Sequence, residues 1–387
     1  MFHRSVRSAA VVAAAAALAG VLSGCGPAET ASSGYSGPIG SVDLKAVCPA
    51  KVVVQTDWNP EAEHGGIYQL LGPGPRIDAG AKKVTGPLFA HGEYTGVDLE
   101  IRAGGPAIGF QSVTAQMYSD ETILLGSVDT DQAVQTAANQ PTTAVMAPLD
   151  KSPLMLMWDP ATYPNVRTIA DLKPAGATVL YFKGSAFMDY LTGTGILDKG
   201  QVDGSYDGAP ATFVAAGGKK AQAGFASAEP YLYQQLPQWQ KPVSYQLLHD
   251  AGFTAYKSPW AVRSNVLDTS SACLRELVPV LQRGQADYLA DPTAANKVIV
   301  DAVAEYNTGW TYADGNADYA VRHMRTDGLV ANGADGVLGT QAPDRIQHMI
   351  DLLRPIFAAQ GVNVPAGLAP EQIATNRFID PTITLPQ

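Results

Sequence analysis

Residues 52–68 read Val-Val-Val-Gln-Thr-Asp-Trp-Asn-Pro-Glu-Ala-Glu-His-Gly-Gly-Ile-Tyr, and this stretch decides the fold. It opens with three consecutive valines, a pattern typical of a strand that is buried on both faces. Pro60 cannot donate a ladder hydrogen bond, so the strand has to end near Asp57. An apolar helical pattern then begins at Ile67. A strand, a polar turn and a helix start in this order predict the carboxyl edge of an open α/β sheet, where ligands usually bind.

The same stretch offers four side chains to a ligand at that edge. Asp57 and Trp58 follow the strand directly, and His64 and Tyr68 surround the predicted helix start. We expect all four at the mouth of a cleft, where aromatic rings give flat faces to a ligand. A lone histidine beside a turn is more often a structural residue or a hydrogen-bond donor than a base.

Two motifs in this stretch carry a resemblance to a known family. Asp-Trp-x-Pro at 57–60, followed by His-x-Gly-x-Tyr at 64–68, resembles the first binding segment of bacterial substrate-binding proteins related to thiamine-pyrimidine binders. That broad family also includes nitrate, sulfonate and taurine binders, and the resemblance covers roughly residues 50–380. It implies a two-lobed α/β fold of the type II periplasmic-binding class, with each lobe a mainly parallel sheet flanked by helices. It also implies a function, which is the capture of a solute by hinge closure.

The first 24 residues are predicted to be a lipoprotein signal peptide. Arg4 and Arg7 precede an apolar segment at 9–21, which is shorter than the ~20 residues of a membrane span. Leu-Ser-Gly then leads directly into Cys25, whose thiol we expect to carry a diacylglyceryl anchor. Residues 25–45 are rich in Ser, Gly, Pro and Ala and predict a flexible tether.

Composition excludes some classes of partner. The formal net charge is −10, and removal of the two signal arginines makes it −12. An acidic chain of this kind is a poor candidate for binding nucleic acid or anionic membrane surfaces. Hydrophobic residues make up 46% and charged residues 16% of the chain, as in a globular α/β protein. Cys48 and Cys273 are the remaining cysteines; outside the cytosol we expect them to pair, the alternative being two buried free thiols.

The resemblance also divides the chain into lobes. We expect residues 46–150 to form the first part of lobe 1, 151–250 to form lobe 2, and 251–387 to return to lobe 1. Ser152 is then expected at the hinge. Residues 72–92 are rich in Gly and Pro and are predicted to be a surface loop, with a loop that overhangs the cleft as the alternative.

The resemblance and local patterns add further binding residues in both lobes. Asp129 and Thr130 follow a buried strand, although a plain helix N-cap would explain them equally well. Gly184 and Ser185 begin a helix, where unpaired N–H groups bind anions or polar ligands. The predicted ligand-binding residues are Asp57, Trp58, His64, Tyr68, Pro106, Asp129, Thr130, Ser152, Gly184, Ser185, Phe187, Glu229 and Tyr231.

No catalytic constellation is found in the sequence. It has no Gly-x-Ser-x-Gly elbow, no His-Glu-x-x-His and no closely spaced Cys/His set for a metal. The eukaryotic thiamine-pyrimidine synthases share the family fold and carry a cofactor-binding lysine, a sacrificial histidine and a cysteine-rich run. The matching junction at 126–132 reads Gly-Ser-Val-Asp-Thr-Asp-Gln, without Lys or His. We therefore expect a binding protein without enzymatic activity, cofactor or metal.

The predicted cleft residues are mainly acidic or aromatic, which bears on the ligand. Carboxylates accept hydrogen bonds from amines, so an aminopyrimidine-like or other nitrogen heterocycle is favoured. An anionic ligand such as nitrate, a sulfonate or taurine is the alternative, because Lys151 and Lys183 could bind it. The family implies a monomer that serves an ABC permease and ATPase; the alternative is a lipid-anchored accessory or ligand-sensing module without transport.

Overall fold

The computed structural model describes residues 34–386, which form two β-sheets surrounded by helices. The predicted signal peptide, Cys25 and the first part of the tether lie outside the described residues. The strands are β1 (Lys51–Gln55), β2 (Arg76–Asp78), β3 (Lys83–Ala90), β4 (Glu93–Arg102), β5 (Ile123–Ser127), β6 (Thr142–Met146), β7 (Leu154–Trp158), β8 (Thr178–Leu180), β9 (Val202–Asp203), β10 (Lys220–Phe225), β11 (Ser244–Leu247) and β12 (Trp260–Arg263). The α-helices are α1 (Gly65–Tyr68), α2 (Val113–Ser119), α3 (Thr130–Thr136), α4 (Ala186–Gly193), α5 (Ala211–Ala215), α6 (Glu229–Gln235), α7 (Ser271–Ala290), α8 (Thr293–Tyr306), α9 (Asp314–Thr326), α10 (Pro343–Ala359) and α11 (Pro370–Ile373).

The first sheet has seven strands in the order β2-β3-β4-β1-β5-β12-β6. The valine run forms its interior strand β1, where Val52 and Val54 are fully buried and β4 and β5 pair in parallel on either side. The remaining pairs of this sheet are antiparallel. Because β1 ends at Gln55, the Asp57–Trp58 turn emerges at the carboxyl edge, as the sequence pattern predicts.

The second sheet has five strands in the order β11-β7-β10-β8-β9. The chain enters it after β6 and returns to the first sheet through the segment that joins β11 to β12. The predicted two-lobed α/β architecture is therefore confirmed. Both sheets are more mixed than a mainly parallel arrangement, since β7 pairs antiparallel with β10 and β11 whereas β8 is parallel to β10 and β9.

The prediction of a surface loop at residues 72–92 is wrong. This segment contains β2 and β3. Strand β3 pairs antiparallel with β2 on one side and with β4 on the other, at the edge of the first sheet. Leu88 is fully buried there. The Gly-Pro content obscured the strand locally, but the hydrogen bonds offered by β4 stabilise the extended backbone.

Close packing of α7 against α1 holds the turn after β1 in place. A Cβ atom at Gly65 would collide with the ring of Tyr288, and one at Gly66 would collide with Gln285. Cys48 and Cys273, joined by a disulfide, connect the segment before β1 to the same helix. The Asp57–Trp58 turn is thus held in place both by the strand before it, β1, and by the helix after it, α1. Within residues 34–386, none of the helices is apolar over a length sufficient to cross a membrane.

Candidate functional site

A cavity of about 370 Å³ lies between the two sheets. Lobe 1 contributes the turns that follow β1 and β5, and lobe 2 contributes the start of α4 and the end of β10. The side chains and backbone that line it include Asp57, Trp58, Glu61, Ser127, Asp129, Asp131, Phe182, Gly184, Ser185, Phe187, Tyr206, Phe225, Glu229, Lys257 and Trp310. A small molecule in this cavity would touch both lobes.

Lys257 joins the two carboxylates that follow the strands of lobe 1. Its Nζ atom lies 2.5 Å from Asp57 Oδ2 and 2.7 Å from Asp129 Oδ2. The backbone N–H of Ser258 donates to the other oxygen of Asp129 at 2.8 Å. Asp129 stands at the N-cap position of α3, but its side chain makes no capping bond and binds this lysine instead.

Asp57 is also bound from the protein side of the cavity. His64 Nε2 lies 2.8 Å from Asp57 Oδ1, and the Ser127 hydroxyl donates to the same oxygen at 3.0 Å. Burial raises the pKa of Asp57, but the charges of Lys257 and His64 more than offset it and hold this pKa well below its usual range. Burial lowers the pKa of Lys257, and Asp129 and Asp57 in turn raise it well above its usual range. The lysine is therefore charged, and its charge is already paired.

Glu229 is the main acidic group contributed by lobe 2. It begins α6 and accepts hydrogen bonds from the Phe225 N–H at 2.7 Å and the Tyr206 hydroxyl at 3.1 Å. Burial, with a smaller contribution from the charge of Glu63, raises its pKa to about 7, although these donors favour the charged form. Near neutral pH this carboxyl is poised between its two protonation states.

Two glutamates of the turn before α1 extend this acidic wall. Glu61 is only 3% exposed, and burial together with Glu63 and Asp57 raises its pKa well above the usual range. Glu63 accepts a hydrogen bond from the Ser227 hydroxyl, a contact that joins lobe 1 to lobe 2. The second oxygen of Glu63 is buried without a partner in the part of the chain that the structure describes.

Aromatic rings cover another wall of the cavity. The ring of Trp58 lies 6.1 Å from both Phe182 and Trp310, in edge-to-face arrangements. Phe182 in turn lies 4.8 Å from Tyr206. These four rings come from both lobes and line the cavity together with the carboxyl groups.

The structure brings seven of the predicted binding residues to the cavity. They are Asp57, Trp58, Asp129, Gly184, Ser185, Phe187 and Glu229. Pro106 lines a neighbouring cavity of about 300 Å³, which shares Trp58 and Trp310 with the first. Ser185 donates to the Phe182 carbonyl from both its hydroxyl, at 2.7 Å, and its backbone N–H, at 3.2 Å, so its hydroxyl oxygen remains as an acceptor for a ligand.

The other predicted binding residues do not line the cavity. Tyr68 is 2% exposed and packs in the core of lobe 1, so the prediction that its ring faces a ligand does not fit this position. His64 is buried behind Asp57. Thr130 and Ser152 use their hydroxyl oxygens to accept from the N–H groups of Tyr256 and Leu154.

Tyr231, the last of these residues, packs on another aromatic side chain. Its ring lies 5.5 Å from that of Tyr319 on α9, away from the cavity lining. An aromatic residue two positions after Glu229 points to a different side of the same short helix, because successive helical residues are rotated around the axis. The prediction that Tyr231 frames the pocket therefore does not fit its position.

Sequence reasoning missed Lys257, Glu61, Tyr206 and Trp310. Lys257 lies in the segment that returns to lobe 1, where a Lys-Ser-Pro triplet carries no recognisable motif. Of these four residues, Glu61 could have been predicted, because it belongs to the opening stretch and follows Pro60 directly. The two aromatic residues lie in irregular segments far along the chain and are brought in by the fold.

Glu229 makes stability depend on pH in a specific direction. Its pKa is about 7 in the folded protein against an ordinary 4.5, so the folded state binds the proton more tightly. Its contribution is therefore full below pH 4.5 and is lost as the pH rises to about 7. We expect wild-type stability, relative to Glu229→Gln, to fall over this window by at most roughly 3 kcal/mol. Urea denaturation of both proteins between pH 4 and pH 8 measures the difference.

The control for this experiment is Glu371→Gln, because Glu371 is exposed on the surface. Its stability should lie within ~0.5 kcal/mol of the wild type, because surface substitutions usually change stability little. A pH-independent difference between the wild type and Glu229→Gln would contradict the assigned titration.

Comparisons with known proteins relate the chain to solved structures. No protein-family model matches the chain, and no curated protein matches it by sequence. The periplasmic aliphatic sulphonate binding protein SsuA from Escherichia coli superposes with a TM-score of 0.51 at 16% identity, over 88% of this chain and 95% of that chain. A ligand-binding component of an ABC-type import system from Staphylococcus aureus, solved with zinc bound, has a TM-score of 0.51 at 12% identity, over 84% and 97%. Across residues 34–386 here, no group of three or more His, Cys, Asp or Glu side chains could hold a metal ion. The two structural likenesses show that the chain shares the two-lobed α/β fold of ABC-transporter substrate-binding proteins.

Proposed function

We propose that this protein is an extracytoplasmic solute-binding protein that captures a small molecule and delivers it to an ABC importer by hinge closure. The observation that carries the proposal is the cavity of about 370 Å³, whose lining comes from both lobes. A ligand can shift an open–closed equilibrium only when it makes contacts in one state that it lacks in the other. A molecule bound between Trp58 of lobe 1 and Glu229 of lobe 2 meets this condition.

The chemistry of the walls favours an amine-bearing nitrogen heterocycle. The volume lies in the range of ordinary small-molecule sites. Asp131 and Glu229 can accept hydrogen bonds from exocyclic amines, and Trp58 and Phe182 can cover a flat ring. Aminopyrimidine-like compounds combine both features.

A sulfonate is the second candidate ligand. It is supported by the structural likeness to a sulphonate binding protein and by the presence of Lys257 in the cavity wall. The lysine is already paired with Asp57 and Asp129, however, so an anion would have to compete with two carboxylates for it. This is why the amine is favoured.

The proposed capture can be tested by letting the protein select its own ligand. Protein purified from its native host under mild conditions is denatured, and the small molecules it releases are identified by mass spectrometry. We expect one compound in near-stoichiometric amount, and we expect cells that lack the protein to take it up more slowly. Release of nothing, together with no saturable binding from a metabolite library, would contradict a solute-binding function.

Trp58 is expected to contribute strongly to binding of the released compound. Trp58→Ala removes an aromatic face from the cavity and should weaken binding by ~1–3 kcal/mol, since that apolar area remains in water. Isothermal calorimetry measures the change. Trp58→Phe is the control, because it keeps a ring and should retain most of the affinity. Equal affinity of Trp58→Ala and the wild type would place the ligand elsewhere.

We also propose that the protein is attached to the cell membrane by a lipid on Cys25. The support is the Leu-Ser-Gly-Cys sequence after a short apolar segment. Cys25→Ala should move the protein from the membrane fraction to the soluble or unprocessed fraction, which immunoblotting of fractionated cells shows. Normal processing and membrane retention of this variant would contradict the anchor.

A further inference from the structure

The charges around the cavity are unbalanced. Five carboxyl groups belong to its lining, namely those of Asp57, Glu61, Asp129, Asp131 and Glu229. Lys257 is the one basic residue among those that line the cavity, and its ammonium group already binds Asp57 and Asp129. The other three carboxyl groups face the cavity without a cationic partner from the residues that line it.

Glu61 is the clearest case of an unpartnered group. The residue is 3% exposed and belongs to the cavity lining, and no hydrogen bond to its carboxylate is formed by residues 34–386. The charged groups that act on it are Glu63, Asp57 and Glu229, which repel a negative charge, and the already paired Lys257. An ionised carboxylate is costly to bury without a partner. A cation from outside the chain would offset this cost, as a bound proton does.

Glu229 belongs to the same acidic wall but is contributed by lobe 2. The groups that act on it are Glu63 and the hydrogen-bond donors Tyr206 and Phe225 N–H, with no cation among them. Glu229 raises the pKa of Glu61 from across the boundary of the lobes, because the two carboxylates repel each other when both are ionised. A positive charge placed between them would remove this repulsion and draw the lobes together.

The aromatic wall is suited to the same kind of ligand. The rings of Trp58, Phe182, Tyr206 and Trp310 line the same cavity as the two glutamates. The face of an aromatic ring attracts a cation electrostatically, and this attraction is larger where water is excluded. Carboxylates combined with a set of rings form an environment that favours organic cations over neutral or anionic molecules.

We propose that the captured solute is an organic cation, such as a protonated amine, an amidinium or a quaternary ammonium, whose positive group lies between Glu61 and Glu229. This inference rests on the proposed function above. It narrows the ligand from amine-bearing heterocycles in general to molecules that bind in a positively charged form.

Proton release accompanies this mode of binding. In the empty cavity burial raises the pKa of Glu229 to about 7, so part of the protein carries a proton on this group at neutral pH, and burial raises the pKa of Glu61 well above its usual range. A bound cation favours the ionised carboxylates, and the displaced protons pass to the buffer. Affinity for a permanent cation should therefore rise with pH between 5.5 and 8.

Three probes that share a phenyl ring and differ in charge test the proposal. Benzamidinium is a cation, benzamide is neutral and benzenesulfonate is an anion. Calorimetry at pH 8 should give at least tenfold tighter binding for benzamidinium than for the other two, and its affinity should fall severalfold at pH 5.5. Titrations in phosphate and in Tris, whose ionisation enthalpies differ, should show that protons are released. Choline and its uncharged isostere 3,3-dimethylbutan-1-ol form a second matched pair.

Variants separate the role of the charge from that of the fold. Glu61→Gln keeps the shape and removes the charge, so it should lower benzamidinium affinity about tenfold and change benzamide affinity much less. Glu371→Gln is the surface control and should change neither. Thermal unfolding of Glu61→Gln should be as cooperative as that of the wild type.

Several outcomes would overturn the inference. Tighter binding of benzenesulfonate or equal binding of the charged and neutral partners would do so, as would the failure of every cation to bind. Cation binding that Glu61→Gln leaves unchanged would also overturn it. The proposed solute capture would survive each of these results provided that the denatured protein releases a neutral or anionic compound, so the two failures can be told apart.

Discussion

Lys257→Met is expected to lower the free energy of unfolding by up to ~3–5 kcal/mol, because it leaves two partly buried carboxylates without their shared cation. Lys257 lies within 2.7 Å of both Asp57 and Asp129, and its side chain is 13% exposed. Methionine has a similar length, so the loss of charge is the main change. Urea denaturation at pH 7.5 measures the effect.

The control for this variant is Lys297→Met. Lys297 forms an ion pair with Asp301 on the surface of α8, and its side chain is 74% exposed. Exposed pairs of this kind contribute little, so stability should change by less than ~1 kcal/mol. Adding Asp129→Asn to Lys257→Met should recover part of the loss, since it removes one of the unpaired charges. Equal stability of the wild type and Lys257→Met would show that the lysine is not needed to neutralise this site.

The double variant Cys48→Ala/Cys273→Ala is expected to lose ~2–5 kcal/mol of stability. The disulfide joins residues 225 positions apart, so it restricts a large part of the unfolded chain. It also ties the segment before β1 to α7, the helix that packs against the binding turn. Loss of the bond should therefore lower the unfolding midpoint in denaturant.

Reduction of the wild type supplies the matched comparison. A reducing agent should lower the wild-type midpoint to that of the double variant and leave the variant itself unchanged. Two thiols that react under denaturing, non-reducing conditions, or equal midpoints for the wild type and the variant, would contradict a stabilising disulfide.

Local patterns predict the elements that matter most for the site. The valine run at 52–54 and the proline at 60 place a strand end at Asp57, and the structure has β1 end at Gln55. The long helices α7, α8 and α10 are likewise readable from apolar periodicity. These features depend on residues close together in the chain, so a single sequence is sufficient for them.

Contacts between distant segments are not readable in the same way. Lys257 meets Asp57 across 200 residues, and which lysine fills that place depends on the path of the returning segment. The sequence pattern places Tyr68 in the cleft, but the packing of α7 on α1 turns its ring into the core. Much of the segment 72–92 forms strands because β4 offers it hydrogen bonds.

The sequence by itself determined that this is an α/β protein with an acidic and aromatic turn at the edge of a sheet, since strand and helix formation follow short-range patterns. The tertiary structure alone decided which of those acids are paired. In the folded protein Lys257 pairs with Asp57 and Asp129, and Glu61 is buried without a cationic partner among the residues that line the cavity. The physical reason is that the free energy of a buried charge depends on the groups a few ångströms away in space, and these come from segments far apart in the chain.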